Sequence, residues 1–122
     1  MNKDLELKDQ KWNTMWELWT EGETISPYSE IMEYYSEIQN GGHAQYFSNL
    51  GDLEKLDDNI KVLLTSLPNK FVVRLEKAYE LYLKDEYGED TEKMMEKCDK
   101  LFYHKEKIIN KMLEEYASTM TL

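Results

Sequence analysis

The chain has 122 residues, 41% apolar and 33% charged, with a net charge of −10, two prolines, five glycines and a single cysteine, Cys98. A chain of this size and apolar content folds as one globular domain over residues 1–122, which excludes a disordered chain, an internal disulfide framework and bulk nucleic-acid binding, since phosphates are held by Lys and Arg. The opening "MNKDLELKDQKW" alternates charge without the apolar stretch of a signal peptide, and no apolar run approaches the roughly 20 residues of a membrane helix, so a cytoplasmic protein with no membrane contact is expected.

Hydrophobic spacing predicts an all-α fold of five to six helices. The first runs from about Lys8 to Thr20, where Trp12, Met15, Trp16 and Trp19 form one stripe at a 3.6-residue period and read as core. The second starts at "SPYSE", with Ser26 as N-cap, Pro27 at the first helical position and Glu30 in the first turn. Tyr28, Ile31, Met32, Tyr35 and Ile38 face inward. Glu30, Glu33 and Glu37 lie on the far side, where Glu33 and Glu37 repel mildly at a spacing of four. The segment Asn40-Gly41-Gly42 then ends this helix and starts a short one, "HAQYFSN", closed at Leu50-Gly51, with left-handed glycines at both ends. A leucine-rich helix covers about Leu53 to Ser66 and stops at Pro68. Another runs from about Asn69 to Tyr87, inward through Phe71, Val72, Leu75, Ala78, Tyr79 and Tyr82, and ends at Gly88. The longest spans about Asp90 to Ser118, with Met94, Cys98, Leu101, Phe102, Ile108, Ile109, Met112 and Tyr116 on its face. No strand pattern competes.

Charge is unevenly placed. Residues 1–11 balance, residues 12–54 hold eight acids and neither Lys nor Arg, and residues 55–122 carry a net −2. A lysine-free block of this kind points to a negative face and a basic partner. The candidate face is Glu17, Glu21, Glu23, Glu30, Glu33 and Glu37.

Chemistry-bearing patterns are sparse. His43 and His104 are the only histidines, and neither sits in an H-x-x-x-H or E-x-x-H pattern or beside a cysteine cluster. No metal site, cofactor site or catalytic residue is therefore expected. Cys98 reads as an inert core thiol. The amides Asn40, Gln45 and Asn49 either satisfy helix-end groups inside the fold or bind polar groups of a ligand, and the structural role is the favoured one. Amides neither titrate nor act as nucleophiles, so they do not mark an enzyme.

The run "NGGHAQYFSN" resembles the signature N-G-G-x-x-Q-[FY]-[FY]-x-N of a bacterial family long described as a domain of unknown function. That family includes an acidic DNA-mimic protein. A second block, "CDKLFYHKEKIINKMLEEY", is similar to the family's C-terminal pattern through Asp99, Phe102, Tyr103 and Tyr116. The likeness extends from about Pro27 onward. His43 stands where Phe is common after the glycine pair. The resemblance implies an all-α fold, no enzymatic activity and a capacity for self-association as a homodimer. It places Asn40, Gly41, Gly42, Gln45, Tyr46, Phe47 and Asn49 on the shared motif, as a structural element. It also implies one function: carboxylates that imitate DNA phosphates and occupy the DNA-binding surface of a basic protein such as a transcription factor. The expectation is therefore a non-catalytic acidic protein-binding domain. Its alternatives are a small neutralising protein of immunity or antitoxin type, and a small-ligand binder at the His43/Gln45/Asn49 corner.

Overall fold

Among the described residues five helices arise in the order α1 (Asn2–Thr20), α2 (Tyr28–Leu50), α3 (Leu53–Ser66), α4 (Asn69–Leu83) and α5 (Glu89–Ala117). This computed structural model describes residues 2–50, 52–84 and 89–122. The helix ends expected at Gly51 and at Tyr87-Gly88 lie outside the described residues. Among the described residues there is no strand, and no helix is long and apolar enough to cross a membrane.

The helix starts differ instructively from the expected ones. α1 opens at Asn2, ahead of its apolar stripe, because Leu, Glu and Lys are good helix formers even where little is buried. Leu5 and Leu7 there are 60% and 45% exposed. α2 opens at Tyr28, after a cis Ser26–Pro27 peptide. The Ser26 hydroxyl donates to Glu30 Oε1 at 3.1 Å, a bond between side chains. At α3 the N-cap is Asp52, whose Oδ1 accepts from the Glu54 amide at 3.0 Å and satisfies one of the donors a helix start leaves open.

α5 is the spine. α2 runs antiparallel along it, in a register set by side chains. Tyr28 stacks on Tyr116 with ring centroids 4.0 Å apart, the Tyr35 hydroxyl donates to Asn110 Oδ1 at 3.2 Å, and Gln39 donates to Glu106. Nearer the other end, Tyr103 donates to the Ile38 carbonyl at 2.8 Å. On another flank α4 is also antiparallel to α5: Phe71 meets Phe102, and the Cys98 thiol donates to the Arg74 carbonyl at 3.2 Å. α1 runs in the same sense as α5. Lys8 pairs with Glu114 at 3.5 Å and Lys11 donates to the Ser118 carbonyl at 3.1 Å, placing positive charge at the C-terminal end of the helix dipole. Met15 is buried, while Trp12, Trp16 and Trp19 pack edge-on to one another against the core, and the Trp19 indole donates to the Ser29 carbonyl.

Phe102 lies at the centre, 1% exposed, in ring contact with Tyr34, Tyr35, Phe71 and Tyr103. Truncating a ring of this kind to alanine removes about 3–5 kcal/mol.

Candidate functional site

As expected, the Asn-Gly-Gly segment separates two helical parts: Gly42, at the kink between them, has the positive φ expected of it, 82°, with ψ −174°, a region open essentially to glycine alone. The chain is thereby redirected, and the second part of the helix, from His43 to Leu50, folds back against the first. An ideal Cβ on Gly42 would come within 2.5 Å of Asp99 Oδ2 and 3.0 Å of Oδ1. Gly42 is therefore required twice, by its torsions and by the carboxylate seated against it. Gly41 has Gln45 lying over it, with the Gln45 Cβ only 2.9 Å from where a Cβ on Gly41 would sit.

Asp99 of α5 fastens the redirected chain. Its Oδ1 accepts from the His43 backbone amide at 2.8 Å and from His43 Nδ1 at 2.7 Å. A carboxylate only accepts, so the ring proton sits on Nδ1 and leaves Nε2 as an acceptor. The Tyr34 hydroxyl donates to Nε2 at 2.6 Å. Burial pushes the Tyr34 hydroxyl well above its ordinary range, with Cys98, Tyr46 and Asp99 adding to it, and so holds it as a donor. In outline this Tyr–His–Asp relay has the parts of a nucleophile–base–orienter set. Yet Tyr34 and His43 are each 1% exposed, and a substrate has no path to either. The arrangement clasps helices together.

Two of the motif's three amides act elsewhere. Gln45 Nε2 and Asn49 Nδ2, one turn apart, both donate to Glu37 Oε2, at 3.2 and 2.7 Å. They bind a carboxylate of the candidate acidic face, whereas the expectation was helix-end backbone groups. The structure thus separates the proposed His43/Gln45/Asn49 corner: His43 turns to α5, and the two amides turn to the first part of α2. Asn40 is exposed just before the kink. Tyr46 is buried edge-on against Tyr34, and Phe47 is buried against Tyr79 and Tyr82.

The six candidate acids fall into two groups. Glu17, Glu21 and Glu23 are exposed, in the last turn of α1 and the connection after it. Glu30, Glu33 and Glu37 form a half-buried row on one side of α2. Burial pushes the Glu33 carboxyl above its ordinary range; Lys55 of α3 opposes this, and Glu37 and Glu30 reinforce it. The first base after the lysine-free block thus returns beside the row. Among the described residues no ion pair closes on Glu33.

Two further features were not foreseen. Tyr79 donates to Asp57 Oδ1 at 3.1 Å across the α3–α4 pair, and burial together with that bond pushes its hydroxyl up to about 12. A groove of about 560 Å³ opens between α1 and α5, lined by Leu7, Lys11, Trp12, Tyr35, Asn110 and Glu114 among others, and no motif residue or candidate acid borders it. Among the described residues no three His, Cys, Asp or Glu side chains are grouped to hold a metal ion. His104 is exposed on α5.

Residues 28–120 match the family model described as DMP19-like protein. The chain belongs to the DMP19-like family. It is the family that includes an acidic DNA mimic, and the match begins where α2 begins and takes in the kink, its Asp99 clasp and nearly all of α5. No curated protein and no solved structure matches the chain.

Proposed function

We propose that this DMP19-like chain is a non-catalytic binding protein of the DNA-mimic type. Its α2 carboxylates occupy the basic, DNA-contacting surface of a DNA-binding protein such as a transcription factor in the cytoplasm. In this reading Asn40, Gly41, Gly42, Gln45, Tyr46, Phe47 and Asn49 build the joint that shapes the surface, and Glu17, Glu21 and Glu23 extend it at the end of α1.

The observation that carries the reading is the row Glu30–Glu33–Glu37. Helical rise spaces these charges by about 4.5 and 6 Å along the axis, wider than the ~3.4 Å of duplex axis per phosphate on one strand but of the same order. Among the described residues their mutual repulsion is tolerated without an ion pair, and Glu37 is held in place by two amides. A carboxylate row kept crowded and oriented suits a partner that supplies the missing positive charge.

The test begins with capture of partners from a bacterial extract and their identification, followed by binding to the purified partner. Duplex DNA should compete for the same surface, and affinity should fall steeply between 50 and 200 mM salt, as it does when several charge contacts are lost together. Replacing Glu30, Glu33 and Glu37 by Lys should abolish binding while the circular dichroism stays helical. Binding indifferent to DNA, and to the triple replacement, overturns the reading.

A further inference from the structure

The groove between α1 and α5 takes no part in the acidic row or the motif. Its volume of about 560 Å³ falls within the roughly 300–1,000 Å³ of small-molecule sites. α1 precedes the matched residues 28–120, so one wall lies outside the family match. Leu7 and Trp12 of α1, Tyr35 of α2 and Ala117 of α5 supply apolar surface. The aromatic part is fixed in advance, because Trp12 and Tyr35 both meet the ring of Trp16, each at a centroid distance of 6.2 Å. From Leu5 to Gln10, by contrast, every α1 residue is exposed, so little packing holds the first turns of that helix.

The polar groups sort into spent acceptors and open donors. Asn110 Oδ1 accepts from Tyr35 at 3.2 Å, while the Asn110 Nδ2 protons have no partner among the described residues. The Ser118 carbonyl accepts from Lys11 at 3.1 Å, which uses one of the three protons on Nζ. Glu114 is neutralised by Lys8 at 3.5 Å. Asp9, the other acid of the lining, stands farthest round α1 from Lys8 and Lys11 by helical periodicity. Asn110 and Ser118 are two helical turns apart, about 12 Å along α5, so the open donors of Asn110 and Lys11 stand towards opposite ends of the groove.

We infer that this groove binds a small aromatic carboxylate with a hydrogen-bond acceptor at the far end of its ring, a hydroxyaryl acid. The carboxylate meets Lys11, the ring lies along Trp12 and Tyr35, and the far oxygen accepts from Asn110. Two hydrogen bonds of about 2.9 Å, with a substituted ring between them, span the required distance. The bond to Lys11 is charge-assisted and the stronger of the two. The ring gains aromatic contact, and the first turns of α1 gain the apolar partner that they lack. An ammonium in place of the carboxylate would meet donors at both ends. No lining residue belongs to the acidic row, so the groove stands or falls apart from the binding reading above.

The test uses the full chain and 4-hydroxyphenylacetate, with phenylacetate and 4-hydroxyphenethylamine as comparisons, followed by proton–nitrogen NMR. 4-Hydroxyphenylacetate should shift the Trp12 indole N–H and the Asn110 side-chain amide saturably. Phenylacetate, which lacks the far oxygen, should bind several-fold more weakly, and the amine at least about tenfold more weakly. Amide exchange over residues 5–12 should slow when the acid binds. Lys11→Met should weaken the acid about tenfold, the loss expected for one hydrogen bond to a charged group, and should remove its advantage over the amine. Lys61→Met on α3 should change nothing. Saturable shifts confined to residues away from the groove, or none at all, would overturn the inference. So would equal affinity for 4-hydroxyphenylacetate and either comparison, or an affinity unaltered by Lys11→Met. The three-probe comparison uses the unaltered chain, so it decides the matter even where Lys11→Met disturbs α1.

Discussion

Replacing Gly42 by alanine tests the joint directly. The torsions of Gly42, φ 82° and ψ −174°, lie where a side chain costs about 1–3 kcal/mol. The new Cβ would also press on Asp99 Oδ2 at 2.5 Å and on its Cγ at 2.9 Å. The carboxylate is no loose end, because Oδ1 takes both the His43 amide and His43 Nδ1. Displacing it breaks two charge-assisted bonds worth about 1.5–3 kcal/mol each and strands a buried imidazole N–H. Part of this is shared between the terms, so a loss of about 3–6 kcal/mol is expected, a large share of the 5–15 kcal/mol that a domain of this kind has in hand. With a urea slope of about 1–3 kcal/mol per molar, the midpoint should drop by roughly 2 M at an unchanged slope. Gly22→Ala is the control: Gly22 also has a positive φ, 75°, but nothing lies within 4 Å of its Cβ position, so only the torsional cost of about 1–2 kcal/mol should appear. Equal, small losses for both variants would refute the account of Gly42 and of the clasp around it.

Other consequences are independent of that one. Burial pushes the Cys98 thiol up to about 11, with Asp99 adding and Arg74 opposing, so thiol reagents at pH 8 should label the native chain at least about a hundredfold more slowly than the urea-unfolded chain. Glu33 binds its proton more tightly folded than unfolded, so the folded state holds more protons above pH 4.5 and stability declines as pH rises through that window. Glu33→Gln should therefore raise the urea midpoint at pH 7, and the gain should vanish as pH falls below about 4.5. Asp57→Asn should bring the Tyr79 hydroxyl down from about 12, read by carbon NMR of labelled tyrosine across an alkaline titration. Asn49→Ala releases Glu37 from one of its two amides; it should lower stability by no more than about 1 kcal/mol in urea unfolding, yet weaken partner binding at constant net charge.

What could be read in advance follows from the range of each signal. The stripes of α3, α4 and α5 have a period, and Leu56, Ile60, Leu63, Phe71, Leu75, Cys98, Phe102 and Ile109 are buried as that period requires. α1 began earlier than its stripe because propensity, not burial, extends it. The Asp52 cap carried a local signal, an Asp before a helix with Glu in its first turn, that a search for apolar spacing passes over. The glycine pair announced a break, but a glycine does not disclose which of its permitted torsions it adopts. Least legible was the partner of His43. Fifty-six residues separate it from Asp99, and nothing near either residue encodes the bond. The same holds for Lys55, whose approach to Glu33 depends on how α3 turns back after Asp52.

The joint and the acidic row belong to one device. On a continuous helix, Gln45 and Asn49 would lie about 12 and 18 Å along the axis from Glu37, beyond the reach of either amide. The break at Gly42 folds that distance away, and both amides close on one carboxylate oxygen. A glutamate on a free stem gives up rotamer freedom when it docks, about 0.5–1.5 kcal/mol per side chain, and a row of them gives it up repeatedly. Glu37 has lost that freedom before any partner arrives, and Glu30 is tethered by Ser26. Only Glu33 lacks such a tether among the described residues, and it is the member whose charge is least comfortable. In the proposed binding reading the motif therefore acts without touching a partner: it sets the geometry of negative charge, which net charge alone does not do.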